Sequence, residues 1–217
     1  MRLKLIQNIK KDVQNWQNGI TIKSYGLKWK DYIPSDLSID CVHDEKCITD
    51  YLKNRYYNSG EIDLYIKALQ KKLNIPEIKK DLESLVRKKF PNKIINIFIT
   101  TFSRAPYSVV DNYFYLRYRP QKKDLKKSET NIYHELMHFL FHKYYWDTCK
   151  DAGLNNEKIH ILKESLTALL NPILKQRKLS LDVGYSAHQK IRARLEKLWE
   201  KEKDFDKFLE KAIKIVK

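Results

Sequence analysis

Residues 134–142 read His-Glu-Leu-Met-His-Phe-Leu-Phe-His. His134 and His138 are four positions apart, so on a helix they share one face, one turn from each other. Two imidazoles placed this way can meet one zinc ion at about 2.0–2.1 Å. Glu135 sits one position further, about 100° around the helix. It cannot readily ligate the same ion, but it can reach a water bound there and take its proton. The spacing thus separates two ligands from one base, as metal-assisted hydrolysis requires. His142 lies a further turn along, about 12 Å from His134 along the axis, and reads as structural.

A catalytic zinc usually has three protein ligands and one open position, so a third must come from elsewhere. The continuation HExxHxxGxxH is excluded, because positions 141 and 144 are Phe141 and Tyr144. Glu164 is the better candidate. It lies 26 residues after His138 on the next expected helix, among Ile159, Ile161, Leu162, Leu166, Leu169 and Leu170. A carboxylate in so apolar a helix needs a partner, and sequential helices joined by a short connection return alongside each other. Lys163 is the alternative partner for Glu164, and His160, one turn earlier on the same face, is the alternative ligand. Downstream, Gly184-Tyr185-Ser-Ala-His188 offers a phenol and an imidazole that could donate to a developing oxyanion.

His134-Glu-Leu-Met-His138, followed by a glutamate on the next helix, resembles the gluzincin group of zinc metallopeptidases, particularly its minimal, cytoplasmic members. The similarity covers roughly residues 90–175. It implies a zincin-like α+β fold, with a small mixed sheet, an active-site helix and further C-terminal helices. It also implies Zn2+ on His134, His138 and Glu164, and Glu135 as general base and acid. Tyr185 and His188 remain the candidates for the oxyanion donor. Many gluzincins carry an acid four positions after the ligand glutamate to orient a ligand histidine. Here that position is Ala168, so the support must differ, with Thr167 or Asn171 as substitutes.

The surrounding pattern supplies elements to hold these residues. Ile94–Phe102 is β-branched and aromatic, a strong strand signal. Tyr113–Arg119 alternates, with Phe114, Leu116 and Tyr118 on one face. That predicts a half-exposed edge strand, on which an extended peptide could lie and where Arg117 and Arg119 could bind its carboxylate. Helices are predicted at 61–73, 76–89, 128–146 (with Ser128 as N-cap), 156–171, 186–201 and 204–216. Leu3, Ile6, Ile9, Val13 and Trp16 predict a further helix over residues 1–18. Residues 20–59 read as irregular. A division near residue 60 follows: an N-terminal segment packed on the core, able to restrict access to a cleft, and a catalytic domain over 61–217.

Composition limits the alternatives. The 217 residues are 42% hydrophobic, enough for a real core. No apolar run approaches the roughly 18–20 residues of a bilayer span, and the first residues lack the apolar segment of a signal peptide, so a cytoplasmic, membrane-free protein is expected. Three cysteines, Cys41, Cys47 and Cys149, suit reduced thiols rather than a disulfide framework. The net charge is +16, yet only nine of the 43 basic residues are arginines, and the lysines are spread along the chain. A nucleic-acid partner is therefore secondary to a peptide or protein substrate. The alternative reading is a basic binding protein, for nucleic acid or a protein partner, that retains a weak or inactive metal site.

Overall fold

In the computed structural model, residues 1–24, 27–91, 93–120 and 124–217 are described. The strands are β1 (Arg2–Gln7), β2 (Lys23–Ser24), β3 (Leu27–Lys28), β4 (Ile94–Thr100), β5 (Tyr107–Ser108) and β6 (Tyr113–Arg117). The helices are α1 (Ile9–Ile20), α2 (Ile39–His43), α3 (Glu45–Leu52), α4 (Glu61–Lys72), α5 (Ile75–Val86), α6 (Leu125–Tyr144), α7 (Trp146–Asp151), α8 (Asn156–Leu166), α9 (Asn171–Gln176), α10 (Gln189–Lys201) and α11 (Phe205–Val216). The chain is mixed α+β. It forms two compact units, one of residues 2–73 and 93–128, the other of Met1, 74–92 and 129–217. This division differs from a boundary near residue 60.

The first unit holds a four-stranded mixed sheet in the order β1-β4-β6-β5. β4 is central and pairs in parallel with β1 and β6, while β5 pairs antiparallel with β6. The N-terminus departs from the helical expectation. Arg2–Gln7 is a strand matched residue for residue with Ile94–Ile99. The helix starts only at Ile9, because the Asn8 side chain accepts from the Lys11 N–H and fixes the first turn there. Residues 2–20 thus supply a strand of the sheet and the helix that follows it.

β6 is not the edge. β5 pairs beyond it at Phe114 and Tyr113. It is also more buried than a half-exposed strand, with Phe114, Tyr115 and Leu116 all inside and Arg117 exposed. The region read as irregular holds α2 and α3. Ser38 caps one and Asp44 the other, and the turn at Asp44 brings the Cα atoms of Cys41 and Cys47 to 5.2 Å. At that separation the two sulfurs join, and the cysteines form a disulfide instead of free thiols. Cys149 is free and buried.

A buried carboxylate ties α1 to the sheet. Asp12 accepts from the hydroxyls of Thr100 and Thr101 at 2.6 and 2.7 Å, from the Thr101 N–H at 3.1 Å, and from the Tyr57 hydroxyl at 3.1 Å. Asn15 and Trp16 donate to the same two threonines. One turn on, Gly19 leaves room for the Phe102 ring, which a Cβ would meet at 2.3 Å.

In the second unit, α6, α8, α10 and α11 bury Leu136, Leu140, Ile159, Leu162, Leu195, Phe205 and Phe208. α6 begins earlier than expected. Ser128 lies inside it and donates back to the Asp124 carbonyl rather than capping the helix. Among the described residues, no helix is long and apolar enough to cross a membrane.

Burial moves the Asp12 carboxyl from its ordinary 3.8 up to about 6, against the pull of its hydroxyl and amide donors. The folded chain then holds that proton more tightly than the unfolded chain. The resulting stability is complete below about pH 4 and is lost as pH rises through about 6, by at most roughly 3 kcal/mol. An Asp12→Asn chain should show a flatter denaturant midpoint between those two pH values than the wild type. Identical pH profiles would locate the effect elsewhere.

Candidate metal centre

α6 carries the motif because its apolar positions lock its rotation. Ile132, Leu136 and Leu140 are fully buried at helical spacing, which turns His134 and His138 toward a common side. Their rings stand 4.4 Å apart, nearly perpendicular. α8 supplies the third group. Asn155 caps its start by accepting from the Lys158 N–H. Its end tightens into a 3-10 turn over Thr167–Leu170, where the Thr167 hydroxyl donates to the Glu164 carbonyl at 2.8 Å. Pro172 does not end the helical path but opens α9.

The three predicted ligands converge. Glu164 places one carboxylate oxygen 3.4 Å from Nε2 of His134 and the other 3.3 Å from Nε2 of His138. One ligand atom from each residue lies within 4.8 Å of the others, so the trio can hold a metal ion. Two atoms each about 2.0–2.1 Å from a tetrahedral ion lie roughly 3.3–3.4 Å apart, and each histidine Nε2 has one Glu164 oxygen at such a separation. Two imidazoles and a carboxylate are also a donor set suited to zinc.

Asp182 orients the first histidine, and no sequence spacing pointed to it. It sits in a loop between the exposed Leu181 and Val183, itself only 5% exposed, and its carboxylate is 2.6 Å from Nδ1 of His134. A carboxylate can only accept, so Nδ1 carries the hydrogen in this contact. Thr167 and Asn171, the expected substitutes, act one step further out. Asn171 exchanges hydrogen bonds with the Asp182 main chain in both directions. Buried Arg192 donates to the Asp182 carboxylate and carbonyl, to Thr167 and to the Glu164 carbonyl. Gly184, at φ +59, is required beneath that guanidinium, since a Cβ there would meet Arg192 Nη1 at 2.6 Å.

Charge sets the protonation states. Burial alone would lower His134, but the charge and hydrogen bond of Asp182, with help from Glu164, take it well above the ordinary value. Burial and the nearby Lys163 push His138 down to about 3, so it is neutral. Burial works against the Glu164 charge, yet His138, Lys163 and the imidazole hydrogen bonds hold that carboxyl well below its ordinary range. Glu135 is pushed up to about 7 by burial, with Glu164 and Asp182 adding repulsion. Its Oε2 is buried without a hydrogen-bond partner. Lys163, 2% exposed, donates to Glu164 at 2.6 Å.

The other candidates have partners of their own. His142 stacks on Trp146 at 4.3 Å, and His160 meets the same indole edge-on. His188 is buried in the 3-10 turn Ser186–His188, where it feels the charges of Glu164, Arg192 and Lys163, and Tyr185 packs edge-on against it. Comparison with family models, with curated proteins and with solved structures finds no match to this chain.

Asp182→Asn should lower the affinity for zinc about 10–100-fold, read by competition against a zinc-binding dye. Unchanged affinity would remove Asp182 from the support of the site.

Proposed function

We propose that this chain is a zinc-dependent metallopeptidase of the zincin type, hydrolysing peptide bonds with Glu135 as general base. The observation that carries the reading is the convergence of His134, His138 and Glu164 beside a buried, unpartnered Glu135 oxygen. Zn2+ held by the trio would supply Lewis acidity, polarising the scissile carbonyl and making a water acidic near neutral pH. Glu135, pushed up to about 7, is matched to taking that water's proton and passing it to the leaving amine. Asp182 holds His134 in the required tautomer. His188 is uncharged near neutrality because burial lowers it, so either its ring N–H or the Tyr185 hydroxyl can donate to the oxygen that gains charge.

A second reading has its own support. A basic binding protein with a vestigial site would account for the +16 charge and for a cation already seated on Glu164. It predicts steeply salt-dependent binding to nucleic acid and no turnover at any salt.

Glu135→Gln separates the two. In a peptidase it should reduce turnover of a quenched-fluorescent peptide library at least a hundredfold, while zinc content stays at the wild-type level. Anomalous scattering at the zinc edge should show one peak touching His134, His138 and Glu164. A crystal soaked in zinc that shows no such peak would sink the peptidase reading.

A further inference from the structure

Lys163 is the member of this cluster that a zinc site does not call for. Its ammonium lies 2.6 Å from Oε1 of Glu164, and that same oxygen is 3.3 Å from Nε2 of His138. The lysine gives up nearly all its hydration to be there, which requires a carboxylate in exchange. The carboxylate it takes is the one anionic ligand of the trio. Lys163 and Glu164 are consecutive on α8, so no loop or hinge can carry them apart. Arg192 does not play this part, because it is spent on Asp182, Thr167 and the Glu164 carbonyl.

We infer that Lys163 sets the metal affinity of the His134–His138–Glu164 site: it is the resident counter-ion of Glu164, and an ion that takes Oε1, the oxygen facing His138, displaces it. This rests on the metal-site reading above. Displacement weakens loading in two ways. A charge-assisted hydrogen bond in a dry site must break. The ammonium then remains within a side-chain length of a dication, at an effective dielectric far below that of water. The same pair steadies the metal-free chain, because Glu164 is then never an uncompensated buried charge. Metal-free protein should accordingly be folded and should take up zinc reversibly.

The full chain, stripped with a chelator, would be titrated at one pH with Zn2+ against a chromophoric competitor, and with Co2+ by its visible absorption. Lys163→Met should bind Zn2+ at least tenfold more tightly than wild type, and Lys163→Gln should move the same way. The metal-free Lys163→Met chain should melt at a lower temperature than wild type and recover on adding Zn2+. His134→Ala should abolish wild-type binding, which locates it at the trio. Equal or weaker binding in a folded Lys163 variant overturns the role of Lys163 and leaves the site intact. Absence of Zn2+ and Co2+ binding in wild type and both Lys163 variants means that the metal reading itself fails, and the inference falls with it. Should neither variant fold, the wild-type Lys163 side-chain 15N resonance decides: it must shift when Zn2+ is added, and an unmoved resonance overturns the displacement.

Discussion

Glu164 is an ionised carboxylate with 7% of its side chain exposed, and its surroundings are arranged around that fact. A buried charge without partners costs several kcal/mol. Both oxygens are accordingly occupied, Oε2 facing His134 and Oε1 facing His138 and Lys163. Its carbonyl is also used, by Thr167 and Arg192. The two α6 histidines are held toward α8 by this electrostatic demand as much as by the apolar stripe behind them.

The layer outside the trio has the same logic. Asp182, Glu164 and Glu135 are three carboxylates gathered with two side-chain cations, Lys163 and Arg192. Arg192 links the loop carrying Asp182 to the end of α8, and Gly184 leaves it the space to do so. The acid in contact with Nδ1 of His134 therefore comes from the loop before the Ser186–His188 turn.

Asp12, in the other unit, shows that burial alone does not decide a carboxylate's state. Both Asp12 and Glu164 are inside. Asp12 is met by hydroxyls and one amide, which carry no net charge, and desolvation pushes its carboxyl up to about 6. Glu164 is met by an ammonium and two imidazoles, and its carboxyl stays well below the ordinary range. One is a structural knot fixing α1 to β4. The other is a charged group that, with His134 and His138, could hold a metal ion.

The sequence alone determined what depends on local periodicity. The 3.6-residue repeat around His134 and His138 places both on one helix face, and the apolar run around Glu164 marks it as a carboxylate that needs a partner. The strands at Ile94 and Tyr113 and most helices were legible for the same reason. Tertiary structure decided what depends on partners distant along the chain. Arg2–Gln7 carries apolar spacing compatible with helix or strand, and pairing with Ile94–Ile99 selects the strand. Tyr113–Arg117 alternates like an edge, yet β5 lies beyond it. Cys41 and Cys47 meet because two capped helices turn at Asp44. Asp182 had no motif to announce it, since a loop residue acquires its role only when folding sets it 2.6 Å from a histidine 48 positions earlier. Spacing along one helix is fixed by the geometry of the peptide chain, while the meeting of distant residues is fixed by which buried charges must find one another.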